Sequence, residues 1–162
     1  MAIKEGDTLP LDVKFKELTG GGLNDVAARD IFKGKKVVVF AVPGAFTPTC
    51  SKEHLPGFVR QAEAFKKKGV DEVVCLAVND AFVMDAWGVQ QGAKGKVRLL
   101  ADGNAEFTKA VGLEVDVSGF GMGLRSRRYA MLVNDGKVEE LLVEPGAGLT
   151  CSSAESVLTK LG

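Results

Sequence analysis

Val37-Val38-Val39-Phe40-Ala41-Val42, followed directly by Pro43-Gly44-Ala45-Phe46-Thr47-Pro48-Thr49-Cys50, is the stretch that decides the fold. Its first six residues form an unbroken apolar run, which is typical of a strand buried on both faces. Beyond Cys50 the apolar residues recur at helical spacing, at Leu55, Phe58, Val59, Ala62 and Phe65. The pattern predicts a strand, a loop and a helix, with Cys50 where the helix begins.

The position of Cys50 has a chemical consequence. The first turn of a helix carries unpaired N–H groups and the positive end of the helix dipole, which favour a thiolate over a thiol. Pro43 and Pro48 restrict the loop, and the hydroxyl of Thr47 can lie beside the sulfur. Cys50 is therefore predicted to be a nucleophile. The alternative, a cysteine buried only for packing, explains neither the prolines nor the threonine.

His54 is the titratable side chain one helical turn after Cys50. It could serve as a general base or as half of a metal site. A Cys–His hydrolase would also need an orienting partner and an oxyanion hole, so a structural role is favoured for His54. The sequence has no Cys-x-x-Cys pair of the kind that zinc sites use, and no metal site is predicted.

Pro43, Thr47 and Cys50 form the pattern Pro-x-x-x-Thr-x-x-Cys, which resembles the active-site signature of peroxiredoxins. The longer run from Pro43 through Phe58 is similar to the type-five subgroup, which includes animal peroxiredoxin five and the plant type II enzymes. Further similar segments are 78–84, 86–88, 96–102, 125–129 and 143–145. The resemblance implies an α/β thioredoxin-like fold, with a central mixed β-sheet flanked by helices, in a single domain spanning residues 1–162 without a cofactor.

The resemblance also implies roles for individual residues. Cys50 would attack a hydroperoxide, Thr47 would contact the peroxide and the sulfur, and Pro43 and Gly44 would shape the pocket. The family's distant arginine corresponds to Arg128, with Arg127 as the alternative one position away. A guanidinium beside the sulfur would favour the thiolate and donate to a leaving oxygen.

Cys75 and Cys151 are the remaining cysteines. Cys75 lies within an apolar run, where burial would make it inert, whereas Cys151 follows a glycine-containing loop at the start of the last predicted helix. Animal peroxiredoxin five has its resolving cysteine in a segment matched by 148–151, and plant type II enzymes resolve through a cysteine matched by Cys75. We expect Cys151 to be the resolving thiol, with Cys75 as the alternative.

The resemblance further implies hydroperoxide substrates and thioredoxin as the reductant, with glutaredoxin as the alternative. It suggests a non-covalent homodimer formed through residues 115–124 and the Thr47–Pro48 region. A glycine-rich apolar segment such as 115–124 can equally be a flexible loop with a few packed anchors. A different class of function is a redox-switched binding or signalling protein, which would oxidise easily but turn over slowly.

Composition bears on the number of domains, the partners and the cellular compartment of the protein. The 162 residues suffice for one domain with a real core, and Lys plus Arg equals Asp plus Glu at 21 each, so no nucleic-acid or membrane partner is expected. The N-terminal residues lack the apolar core of a signal peptide, and three widely spaced cysteines suit a reducing compartment. A cytoplasmic location is predicted, or a mitochondrion or other organelle if a targeting segment has been removed.

The remaining pattern predicts the order of elements. They are a hairpin or arm in 4–22, a helix from Asn24 or Asp25 to Phe32, a strand at 37–42, a helix from Cys50 to Lys68 kinked at Pro56, a strand at 73–78, a helix capped by Asn79-Asp80, a strand at 97–100, a helix at 104–111, a hairpin of 129–134 with 137–143, and a helix at 152–161.

Overall fold

A seven-stranded mixed sheet forms the centre of the molecule in the computed structural model, which describes residues 2–161. The strands are β1 (Lys14–Thr19), β2 (Gly22–Ala27), β3 (Lys36–Ala41), β4 (Glu72–Ala77), β5 (Arg98–Ala101), β6 (Glu114–Asp116), β7 (Leu124–Ser126), β8 (Tyr129–Asn134) and β9 (Lys137–Val143). The order in the large sheet is β2-β1-β5-β4-β3-β8-β9, and β6 and β7 form a separate two-stranded sheet.

Helices cover both faces of the large sheet. They are α1 (Ala28–Phe32), α2 (Leu55–Arg60), α3 (Ala62–Lys67), α4 (Ala81–Gln90), α5 (Glu106–Ala110) and α6 (Ala154–Leu161). A π-helical turn spans Cys50–His54 and a 3₁₀ turn spans Ser118–Phe120. Within residues 2–161, no helix has both the length and the apolar character needed to cross a lipid bilayer.

Strand β3 lies in the middle of the sheet and positions Cys50. It pairs in parallel with β4 and antiparallel with β8, and β4 pairs in parallel with β5. Because successive side chains point to opposite faces, Val38 and Phe40 pack with α2, α3, α4 and α6, while Val37 and Val39 pack with α1 and α5. Two apolar cores hold the strand, as its continuous apolar sequence predicts. The predicted mixed sheet flanked by helices is confirmed.

The N-terminal part of the prediction is partly wrong. The hairpin runs from β1 into β2, so residues 24–27 are extended and the helix begins only at Ala28. Asn24 donates its side-chain amide to Thr19, and Asp25 forms an ion pair with Lys16 across the hairpin. These cross-strand contacts use the side chains that the prediction had assigned to the start of a helix.

The helix after Cys50 is interrupted twice rather than once. The N–H of Leu55 donates to the carbonyl of Cys50, five residues earlier, and Pro56, which follows, has no N–H with which to donate to Lys52. The Cys50 turn is thus separate in geometry from α2, as the proline predicts. A second break at Gln61 divides α2 from α3, and the sequence carries no signal for it.

Two further segments differ from the prediction. Residues 115–124, expected to be either a flexible loop or an exposed subunit contact, include most of β6 and the start of β7. These strands pair around a 3₁₀ turn and leave Phe120 84% exposed. The last helix starts at Ala154 instead of Ser152, because residues 150–152 donate their backbone N–H groups to the side chain of Glu144.

Candidate active site

The loop that connects β3 to Cys50 is tied to its surroundings. The N–H of Ala45 donates to Oδ1 of Asn79 at 2.9 Å, which joins the loop to the segment before α4. Phe46 has φ of 65°, a left-handed conformation that is uncommon for a bulky residue, and the residue is 48% exposed. The loop therefore delivers Cys50 to the first position of the π-helical turn, where its side chain is fully buried.

Two hydrogen-bond donors meet at the sulfur of Cys50. Oγ1 of Thr47 lies 2.8 Å from Sγ, and Nη2 of Arg128 lies 3.1 Å from it. The Thr47 hydroxyl also lies 2.7 Å from the carbonyl of Gly44, so its single hydrogen can turn to either acceptor. Because a guanidinium only donates, the arrangement is suited to a negatively charged sulfur.

Arg128 precedes β8 and is nearly fully buried. Besides the sulfur, it contacts Nδ1 of His54 through Nη1 at 2.9 Å and donates from Nε to the carbonyl of Ala147 at 3.2 Å. Three contacts on one guanidinium fix its orientation toward Cys50. The neighbouring Arg127 is exposed, so Arg128 is the arginine that the structure brings to the sulfur.

His54 connects Arg128 to the C-terminal part of the chain. Since Arg128 can only donate, Nδ1 of His54 accepts from it, and Nε2 carries the hydrogen that it donates to the carbonyl of Ser152 at 2.8 Å. Burial against the rings of Phe40 and Phe58, together with the charge of Arg128, lowers the pKa of His54 to about 4. The ring is therefore neutral near pH 7, with both nitrogens hydrogen-bonded.

Acidification should destabilise the protein through His54. Its pKa is lowered on folding from 6.5 to about 4, so between those values the unfolded chain binds the proton and the folded chain does not. Stability from this group is complete above pH 6.5 and is lost as the pH falls toward 4, by about 2 kcal/mol at pH 5. Urea unfolding at pH 7.5 and 5 should show this loss, and His54→Gln should reduce it. Because the chain has one histidine, its NMR titration is directly assignable, and a midpoint near 6.5 would contradict the account.

Pro43 and Gly44, at the start of the loop, lie against Arg125. The carbonyl of Pro43 accepts from Nη1 of Arg125 at 3.2 Å, and Nε of Arg125 donates to the carbonyl of Met122 at 2.9 Å. A Cβ on Gly44 would lie 2.8 Å from that Nη1, so glycine permits the close approach. Arg125 thus joins the loop to the 115–124 segment, a contact that the sequence analysis missed.

Trp87 lies beside the Cys50 turn. Its indole Nε1 donates to Oγ of Ser51 at 3.0 Å, and the ring is fully buried. The chain contains one tryptophan, so its fluorescence reports directly on the residue next to Cys50.

Cys75 lies in β4, opposite Phe40 in the register with β3. Its thiol is fully buried, and burial raises its pKa well above the ordinary value, with a smaller contribution from Cys50. The expected burial of Cys75 is observed.

Cys151 lies between β9 and α6 and is partly exposed. Its Sγ is 3.5 Å from the carbonyl of Val143, and its N–H donates to Oε2 of Glu144 at 2.8 Å. Burial and the charge of Glu144 raise the pKa of Cys151. All three cysteines are free thiols. The glycine-containing loop before Cys151 therefore ends in a hydrogen-bonded segment, a feature that the sequence analysis missed.

Among residues 2–161, no group of three or more His, Cys, Asp or Glu side chains is arranged to hold a metal ion.

The chain is similar to proteins of known family. The family model described as Redoxin matches residues 4–158. Peroxiredoxin-2E, chloroplastic, of Arabidopsis thaliana is 47% identical over 163 residues, which cover 99% of this chain and 70% of the relative. Reduced Prx3 from Vibrio vulnificus, solved in complex with H2O2, is 51% identical, with a TM-score of 0.94 and 99% of each chain covered. Peroxiredoxin 5 from Alvinella pompejana is 38% identical, with a TM-score of 0.86, over 98% of this chain and 97% of the other.

Proposed function

The chain belongs to the redoxin family, and from this premise we propose that Cys50 attacks the peroxide and that Cys151 resolves the product. It is a peroxiredoxin with a thioredoxin-like fold, an enzyme that reduces peroxides through a cysteine thiol. The observation that carries the role of Cys50 is the approach of Thr47 and Arg128 to its sulfur, at 2.8 and 3.1 Å. Groups within reach of the sulfur are also within reach of an oxygen that reacts with it.

The first step transfers one oxygen atom to Cys50. The thiolate attacks one peroxide oxygen, the S–O bond forms as the O–O bond breaks, and the leaving alkoxide or hydroxide takes a proton to become alcohol or water. Cys50 is oxidised by two electrons to a sulfenic acid, and the peroxide is reduced by two. Arg128 and the Thr47 hydroxyl stabilise the charge that develops on the oxygens, since both are positioned donors in a buried site.

The second step forms a disulfide. The Cys151 thiolate attacks the Cys50 sulfur, the S–O bond breaks, and the departing hydroxide takes a proton to leave as water. An external dithiol then reduces the disulfide by exchange and is itself oxidised. Cys151 is favoured over Cys75 because its side chain is partly exposed, whereas Cys75 is fully buried within a central strand.

Hydrogen peroxide and organic hydroperoxides are the proposed substrates. The H2O2 complex of the similar Vibrio protein supports the first, and the exposed ring of Phe46 in the Cys50 loop offers an apolar surface for the second. Thioredoxin is the proposed reductant. Turnover measured with a thioredoxin system should exceed turnover with glutathione and glutaredoxin; the reverse order would assign the enzyme to glutaredoxin.

Removing either donor should slow the first step. Thr47→Val and Arg128→Met each delete one hydrogen bond to the reacting centre, a loss on the order of 1.5–3 kcal/mol for a charged partner, or roughly ten- to a hundredfold in rate. Stopped-flow measurement of the second-order rate constant with H2O2 checks this. Arg127→Met is the matched control, since Arg127 is exposed and adjacent. A slow Arg127→Met beside a normal Arg128→Met would move the role to Arg127.

A non-covalent homodimer is proposed on the basis of exposed apolar side chains. Phe120 is 84% exposed, Phe46 is 48% exposed and Leu124 is 36% exposed. Exposed apolar surface often marks subunit contacts. The reduced protein should sediment at about twice its 17.1 kDa chain mass at micromolar concentration, and Phe120→Glu should shift it toward monomer. A wild-type protein that stays monomeric at high concentration would contradict the proposal.

The proposed cellular location of the protein is the cytoplasm or the interior of an organelle. The chloroplastic Arabidopsis relative supports the organelle. Imaging of the full-length protein with a fluorescent tag in its own cells distinguishes the two.

A further inference from the structure

Glu144, directly after β9, accepts hydrogen bonds from three consecutive residues. Its carboxylate accepts from the backbone N–H groups of Thr150 at 2.9 Å, Cys151 at 2.8 Å and Ser152 at 2.8 Å, and also from the hydroxyls of Thr150 and Ser152. The side chain is 2% exposed. None of the salt bridges among residues 2–161 involves Glu144, so its charge is stabilised by these hydrogen bonds. We call this arrangement the Glu144 latch.

The latch is continuous with the Cys50 site. The carbonyl of Ser152 accepts from His54, and His54 accepts from Arg128, which donates to the Cys50 sulfur. Arg128 also donates to the carbonyl of Ala147. The segment from Ala147 to Ser152 is thus held on one side by the groups that hold Cys50 and on the other by Glu144.

The latch affects both the position and the ionisation of Cys151. Burial opposes ionisation of Glu144, but the hydrogen bonds from Thr150, Ser152 and Cys151 lower its pKa to about 2, so it is charged at neutral pH. That charge, added to partial burial, raises the pKa of the Cys151 thiol. The resting enzyme therefore keeps Cys151 protonated, with its N–H restrained.

The Cys50 and Cys151 sulfurs are not bonded in the resting enzyme, and each has its own hydrogen-bond partners. The Cys50 sulfur faces Thr47 and Arg128, and the Cys151 sulfur faces the carbonyl of Val143. A disulfide brings the two sulfurs to about 2 Å and the Cα atoms to within about 7 Å. Bond formation therefore requires the two cysteines to come together, and the hydrogen bonds of residues 150–152 to Glu144 oppose movement of Cys151.

We propose that Glu144 is a positioning residue for resolution, which holds the Cys151 segment in the resting enzyme and releases it before the Cys50–Cys151 disulfide forms. The inference rests on the proposed role of Cys151 as the resolving thiol. The backbone N–H of Glu144 donates to the carbonyl of Arg128 at 2.9 Å, but its carboxylate is hydrogen-bonded to residues 150–152 and not to the Cys50 sulfur. We therefore assign the carboxylate no part in the first step.

The test compares Glu144→Gln with the wild type and with Glu140→Gln, the same change at a glutamate within β9. The backbone N–H groups of residues 150–152 donate to Glu144 and not to Glu140. After one equivalent of H2O2, acid quenching and mass spectrometry give the rate at which sulfenic acid becomes disulfide. For each unit by which the Cys151 pKa falls, the rate should rise roughly threefold, because the gain in thiolate exceeds the loss of nucleophilicity. We expect at least that increase in Glu144→Gln, and none in Glu140→Gln.

Two independent readouts accompany the rate. Alkylation of Cys151 against pH, in a Cys50→Ser, Cys75→Ser background, should show a lower pKa in Glu144→Gln. Hydrogen exchange at the N–H groups of residues 150–152 should lose protection. Thr150→Val removes one hydroxyl donor and is nearly isosteric, so it should shift every readout in the same direction by less, even if Glu144→Gln folds poorly.

The outcomes separate the two proposals. If the Cys50–Cys151 disulfide forms in the wild type but at an unchanged or lower rate in Glu144→Gln and Thr150→Val, Glu144 only stabilises the loop and the positioning role is overturned. If no Cys50–Cys151 disulfide forms in the wild type, the proposed resolving thiol is overturned, and the positioning role with it.

Discussion

Cys50→Ser should consume no peroxide beyond the rate of buffer alone. A serine hydroxyl is not ionised at neutral pH and cannot be oxidised by two electrons to a sulfenic acid, so both the nucleophile and the product of the first step are removed. The expected effect is complete loss of turnover in a coupled assay with thioredoxin, thioredoxin reductase and NADPH.

The fold should survive this change, because serine is smaller than cysteine and its hydroxyl can still accept from Thr47 and Arg128. Circular dichroism and the fluorescence of Trp87, which reports on Ser51, provide that control. Cys75→Ser is the matched variant at the other fully buried cysteine. Substantial turnover in folded Cys50→Ser would refute the assignment of the peroxide-reactive thiol.

Cys151→Ser should keep the first oxidation and lose the cycle. Its Cys50 should react with H2O2 at nearly the wild-type rate, because Cys151 makes no contact with the Cys50 sulfur. Steady-state turnover with thioredoxin should fall on the order of tenfold or more, since an intramolecular attack is replaced by a bimolecular one. The sulfenic acid should persist and progress to sulfinic acid as peroxide is raised.

Mass spectrometry of the quenched protein follows these species, and Cys75→Ser serves as the control with near wild-type turnover. Burial raises the pKa of Cys75 well above its usual value, so it contributes little thiolate. Full thioredoxin-dependent turnover in Cys151→Ser, together with loss of turnover in Cys75→Ser, would assign resolution to Cys75.

The sequence predicts those parts of the site that depend on local pattern. The apolar run at 37–42, the two prolines of the loop and the helical spacing after Cys50 are all short-range signals, and β3, the loop and the Cys50 turn follow them. The kink at Pro56 is predicted for the same reason, because a missing N–H acts within one turn. The break at Gln61 and the extended residues 24–27 depend on packing and on cross-strand pairing, for which the local pattern carries no signal.

Contacts between distant parts of the chain could not be predicted from the spacing of residues in the sequence. Arg128 is one of three arginines between 125 and 128, and only the family resemblance selected it; burial then separates it from Arg127. The contact of His54 with Ser152 joins residues 98 apart, and the hold of Glu144 on residues 150–152 depends on how β9 ends. A buried carboxylate surrounded by N–H groups appears in the sequence only as one more glutamate.

The most direct test of the account is a peptide map of the protein oxidised with one equivalent of H2O2 in the absence of reductant. Free thiols are blocked with an alkylating agent, the protein is digested, and disulfide-linked peptides are identified by mass spectrometry. The account predicts Cys50 linked to Cys151 and Cys75 recovered as the alkylated thiol. A map that links Cys50 to Cys75 and leaves Cys151 alkylated would contradict it.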